Sequence, residues 1–126
     1  MQFERQKLMG AWYRSEIDEN GDVHTEFSQL LEDGSYEFSF SIHNAHGEVV
    51  MQSLELGDWG LVGDIHFTIA KAEIIENEEF ATDLADPNNY HAYKVIELNN
   101  QTFKYKHIVS NEVFILKRVV DKIAHC

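Results

Sequence analysis

The stretch "EDGSYEFSFSIHNAHG", residues 32–47, sets a turn, a strand and a second turn in a row. Tyr36, Phe38, Phe40 and Ile42 alternate with Glu37, Ser39 and Ser41, the period of a strand with one apolar and one wet face. Asp33-Gly34 ahead of it is a pair that tolerates the positive φ angles of a type I′ hairpin, and Asn20-Gly21 in "ENGD" has the same chemistry. Two turns at this spacing predict three antiparallel strands, over 10–17, 23–32 and 35–43. "HNAHG", residues 43–47, makes the next turn.

Downstream, the apolar phase of "EVVMQSLELGDW" shifts between Met51 and Leu54, as a bulge requires. Ile65, Phe67 and Ile69 then restore clean alternation in "GDIHFTIA". The stretch 74–89, "IIENEEFATDLADPNN", is acidic, holds the only proline and has no period of two. It reads as a long connection with one helical turn. Three more strands follow over 90–98, 101–108 and 112–120, separated by Asn99-Asn100 and Ser110-Asn111. In the middle one Phe103, Tyr105 and His107 alternate with Lys104 and Lys106. The total is about eight strands, joined mostly by short turns. A sheet of that size splits into a β-sandwich or closes on itself, and closure removes the exposed edges. The expectation is an all-β, antiparallel up-and-down meander barrel, with a sandwich as the alternative.

With 126 residues, 44% of them hydrophobic, the chain fits one domain over 1–126. Ten Lys plus Arg against 22 Asp plus Glu give a formal charge of −12, which repels phosphate backbones and anionic lipids, so neither nucleic acid nor membrane is expected as a partner. No apolar run approaches the roughly 20 residues of a membrane-crossing helix, and "MQFERQKLMG" lacks the apolar core of a signal peptide. A cytoplasmic location is the expectation. Cys126 is the only thiol and reads as a tail residue.

Gly10-Ala11-Trp12 on the first strand resembles the Gly-x-Trp signature of the lipocalins and the wider calycin group. In that family the Trp closes one end of the barrel and packs against a basic residue of the last strand. "VFILKRV", residues 113–119, supplies Arg118 at the matching place. The resemblance therefore implies that Gly10, Trp12 and Arg118 form a structural closure, through cation–π stacking worth about 1 kcal/mol and hydrogen bonds to backbone carbonyls. "ELGDWGLVGDIHF", residues 55–67, is similar to the central hairpin of small bacterial lipocalin-like domains. "NNYHAY", residues 88–93, loosely resembles the second lipocalin motif, with three strands expected here where secreted members have two.

Closed barrels of about eight strands are filled by side chains or hold one small ligand. The face expected to point inward carries Tyr36, Phe38, Phe40, Ile65, Phe67, Ile69, Phe103 and Tyr105, an aromatic lining suited to an apolar or amphipathic molecule. His107, Tyr93 and His91 are the polar groups that would orient it, and an inward Arg14 would take a carboxylate head group or pair with Glu16 or another acid. The reading is ligand binding without catalysis. The alternative is a filled barrel serving as a non-enzymatic, homo-oligomeric interaction module. The seven histidines, at 24, 43, 46, 66, 91, 107 and 125, show no ligand spacing for a metal, and no cofactor is expected, although His107 is the candidate axial ligand were haem to bind. No nucleophile elbow, phosphate loop or zinc-protease helix is present.

Overall fold

The computed structural model describes residues 3–119, so the expectations for His125 and Cys126 fall outside the described residues. A single helical turn, α1 (Arg5–Leu8), precedes nine strands: β1 (Gly10–Ile17), β2 (Val23–Leu30), β3 (Ser35–His43), β4 (Val49–Val62), β5 (Ile65–Ile75), β6 (Glu78–Ala81), β7 (Tyr90–Leu98), β8 (Thr102–His107) and β9 (Val113–Arg118). Eight close into an antiparallel meander barrel in the order β1-β2-β3-β4-β5-β7-β8-β9, with β9 returning to β1. β6 pairs only with the far end of β5 and lies outside the ring. The barrel, and not the sandwich, is the architecture.

Three hairpins share one turn design. At 18–22, 31–35 and 44–48 an i→i+3 bond runs from the glycine N–H to the first residue's carbonyl, and the loop's ends pair through their backbones. Only Gly21, Gly34 and Gly47 take positive φ, so these are five-residue turns with one left-handed glycine and not type I′ turns. Asp18 and Asn44 explain the difference: each side-chain oxygen accepts two backbone N–H bonds from its own loop, which favours the longer turn.

Three further expectations are corrected. The register shifts fall at Ile42/His43 and Leu56/Gly57, not between Met51 and Leu54. The stretch 74–89 is not a plain connection, because β5 runs on to Ile75 and turns through Glu76 and Asn77, both at positive φ, into β6 before a 3-10 turn at Pro87–Asn89. On β5 the inward face is His66, Thr68 and Ala70, which are buried, so Phe67 points outward together with Ile65 and Ile69. The physical reason is pairing: Val62 opposes Ile65 across a two-residue turn, which puts Thr68 opposite the buried Trp59 and lays the Phe67 ring against Gly60 on the outer face.

The core occupies one end of the barrel. Trp12 and Leu8 have no exposed surface, and Leu30, Trp59, Phe103 and Leu116 are buried around them. The two indoles donate to backbone carbonyls at the same 2.9 Å, Trp12 to Leu8 and Trp59 to Leu31. Arg118 lies 3.9 Å from the Trp12 ring centre and donates to the carbonyls of Met9 and Lys7, each at 2.5 Å. Gly10 makes that approach feasible: its φ is +115°, and a Cβ there would stand 2.5 Å from the Arg118 guanidinium. Turns 31–34, 63–64 and 99–101 rim this closed end.

Candidate functional site

The opposite end of the barrel is open. Alternation along each strand brings Arg14 and Glu16 from β1, His24 and Glu26 from β2, Phe40 and Ile42 from β3, and Met51, Ser53 and Glu55 from β4 towards the mouth. Two adjoining recesses share Phe40, Met51 and Ser53. One, of about 230 Å³, reaches down to Arg14 and Glu26, and the other, of about 390 Å³, reaches Glu55 and Glu73.

Charges at the mouth are arranged unequally. Arg14 donates through Nε to Glu26 at 2.6 Å and through Nη1 to Glu16 at 3.1 Å, and its guanidinium lies 4.9 Å from the Phe114 ring centre. Burial works to lower its pKa, but the hydrogen bond and charge of Glu26, helped by Glu16, outweigh it and the pKa is raised. Glu55 accepts a 2.8 Å hydrogen bond from the Tyr36 hydroxyl. Burial raises its pKa; the Tyr36 bond pulls the other way, while Glu73 and Glu26 push it further up. The phenols of Tyr36 and Tyr93 are pushed well above their ordinary range, chiefly by burial and then by these glutamates. Below them lies Thr68, 1% exposed, whose hydroxyl beside the two phenols works to lower both values.

The residues singled out from sequence divide by depth. Arg14 and Phe40 line the recess itself. Tyr36, Phe38, Phe103 and Tyr105 are buried in the packed interior, where the rings of Tyr36 and Phe38 lie tilted at 4.3 Å and those of Phe103 and Tyr105 at 4.4 Å. Tyr93 and His107 face each other edge-on at 5.1 Å, half-buried. Phe67 points away from the mouth recess and lines a separate recess of about 290 Å³ with His91 and His107. His91 and His107 meet at 3.1 Å, Nδ1 to Nε2. Two backbone N–H groups, of Val109 and Ser110, donate to His107 Nδ1, so in the neutral pair the His107 proton sits on Nε2 and points at His91. Among the described residues no group of three or more His, Cys, Asp or Glu side chains is placed to hold a metal ion.

Glu26, Glu55, Ser53, Glu73 and Thr68 escaped the sequence reading. Glu55 sits between Leu54 and Leu56, and a period-two reading of "SLELGDW" puts the leucines inside. Parity counted back from Trp59 finds the right answer, since Trp59, Gly57, Glu55, Ser53 and Met51 share one face.

The fold and this mouth define a small one-ended barrel: eight antiparallel strands in up-and-down order, plugged by Trp12 at one end, an architecture consistent with a lipocalin-like fold. No family model matches the chain, and no curated protein matches it.

Proposed function

We propose that the protein binds a small amphipathic molecule in the open end of its barrel, as a lipocalin-like carrier or sensor without catalysis of its own. The observation that carries this reading is the contrast between the two ends. One is packed solid around Trp12 and Trp59; the other leaves a recess walled by Phe40 and Met51 over hydrogen-bonding side chains. Apolar walls with a few convergent polar groups are the common form of a small-molecule site. The Gly10, Trp12 and Arg118 closure supports kinship with the calycin group in the same sense, because it leaves a single entrance.

The test fills the entrance. Ser53 faces both recesses, so Ser53→Trp places an indole where the ligand would sit. Binding of a polarity-sensitive fluorescent dye is expected to fall at least about tenfold, the equivalent of roughly 1.4 kcal/mol, with little change in thermal stability. Equal dye binding by both proteins refutes a site at this mouth. Native mass spectrometry of protein taken directly from cells then looks for a retained mass.

A further inference from the structure

One carboxylate in the mouth has no cation to answer it. The only guanidinium there, that of Arg14, is already engaged by Glu26 and Glu16. Among the described residues the lysine ion pairs are elsewhere: Lys71 meets Asp58, and Lys94 stands 4.0 Å from Asp64. Glu55 takes a single hydrogen bond from the neutral Tyr36, and its charged neighbours are Glu73 and Glu26. A half-buried carboxylate beside two like charges is an unfavourable arrangement until a cation enters.

The surroundings suit a cation that carries an apolar tail. Phe38 is the cross-strand partner of Glu55, with Tyr36 at 4.3 Å on one side and Phe40 at 6.2 Å, edge-on, on the other. Aromatic faces within about 6 Å attract ammonium groups. Met51, Ile42 and Ile75 supply apolar rim surface. Glu73, the cross-strand partner of Glu55, lines the same recess and adds a second carboxylate to its wall.

We propose that the recess selects amphipathic amines, seating a primary ammonium group against Glu55 and the Phe40 ring with the alkyl part along the rim. This rests on the binding reading above and specifies its ligand class. A carboxylate head group, by contrast, meets an excess of negative charge and an arginine that is already paired.

Three probes with one tail separate the two proposals: n-decylamine, n-decanol and n-decanoate, each below its micelle concentration. Affinities are measured by dye displacement at about 0.3 M salt, where a screening length of roughly 6 Å suppresses the general pull of an acidic protein on amines. Decylamine is expected to bind roughly 10- to 100-fold more tightly than the other two, the scale of a hydrogen bond to a charged group. Glu55→Gln should abolish most of that preference while retaining decanol binding. Should that variant fail to fold, Glu73→Gln on the same wall is expected to lower the preference instead. Equal affinities, tighter decanoate binding, or a preference untouched by these variants overturns the amine proposal while leaving the binding site standing. Failure of all three probes to displace the dye counts against the binding site itself.

Discussion

Replacing Trp12 by alanine tests whether the indole is a plug or part of a binding wall. The ring is fully buried, lies 5.5 Å from Phe103 and 3.9 Å from the Arg118 guanidinium, and donates to the Leu8 carbonyl. Removing about 200 Å² of aromatic surface at about 25 cal/mol per Å² forfeits roughly 5 kcal/mol, of which the alanine methyl and partial collapse of the cavity return a share. Leaving the Leu8 carbonyl without its donor adds about 1 kcal/mol. The expected loss is therefore about 3–5 kcal/mol, against a total of the order of 10 kcal/mol for a domain of this length. Equilibrium urea unfolding followed by far-UV circular dichroism measures it, since tryptophan fluorescence changes with the substitution itself. Dye affinity at the mouth should stay within about twofold, because Trp12 sits at the other end of the barrel. A loss below about 2 kcal/mol, or a folded variant whose dye binding collapses, refutes the assignment of Trp12 to the plug.

Two more perturbations address the frame around the site. A methyl group on Gly57 would collide with the Ile69 carbonyl and stand 2.7 Å from the Tyr36 ring, so Gly57→Ala is expected to cost about 3 kcal/mol in urea unfolding. Gly47→Ala, strained only by its φ of +82° and with open space around it, should cost about 1 kcal/mol. His66 is buried and its pKa is lowered from 6.5 to about 4 by loss of solvation, with Nδ1–H donating to the Gly60 carbonyl. The unfolded chain therefore takes up the proton first as pH falls through 6.5, and stability is lost progressively down to about pH 4. The loss totals about 3 kcal/mol for this group. Glu55, whose folded pKa is raised, contributes with the opposite sign, so the comparison is with His66→Gln: its stability should fall by about 2 kcal/mol less than that of the unaltered protein between pH 7.5 and 4.5. Parallel pH profiles for the two refute the buried neutral histidine.

The strands and their order were legible because alternation and turn chemistry agree along most of the chain. β3 is the clearest case, with Tyr36, Phe38 and Phe40 inside and Glu37 outside. β5 was misread because hydrophobicity and orientation part company there. Ile65, Phe67 and Ile69 form an apolar outer stripe, while the inward positions hold His66, Thr68 and Ala70. The same inversion hid Glu55 between two leucines. Hydrophobic alternation states which residues share a face, and only strand pairing states which face is inside. Pairing was within reach of the sequence at this hairpin, since the Gly63-Asp64 turn sets Leu61 opposite His66 and Trp59 opposite Thr68.

That inversion bears on what the open end is for. If stability alone governed the inward positions, Glu26 and Glu55 would be poor choices, since each brings a carboxylate into the barrel that must be partnered or left at a cost. The closed end is built the other way: its indole N–H groups and its guanidinium each have a backbone carbonyl to meet. Packing around Trp12 and Trp59 supplies the core that a domain of this size needs, so the opposite half can carry unanswered polarity without losing the fold. Glu55, met only by the Tyr36 hydroxyl, stands in the half with an entrance, where the proposed ligand would complete its partners.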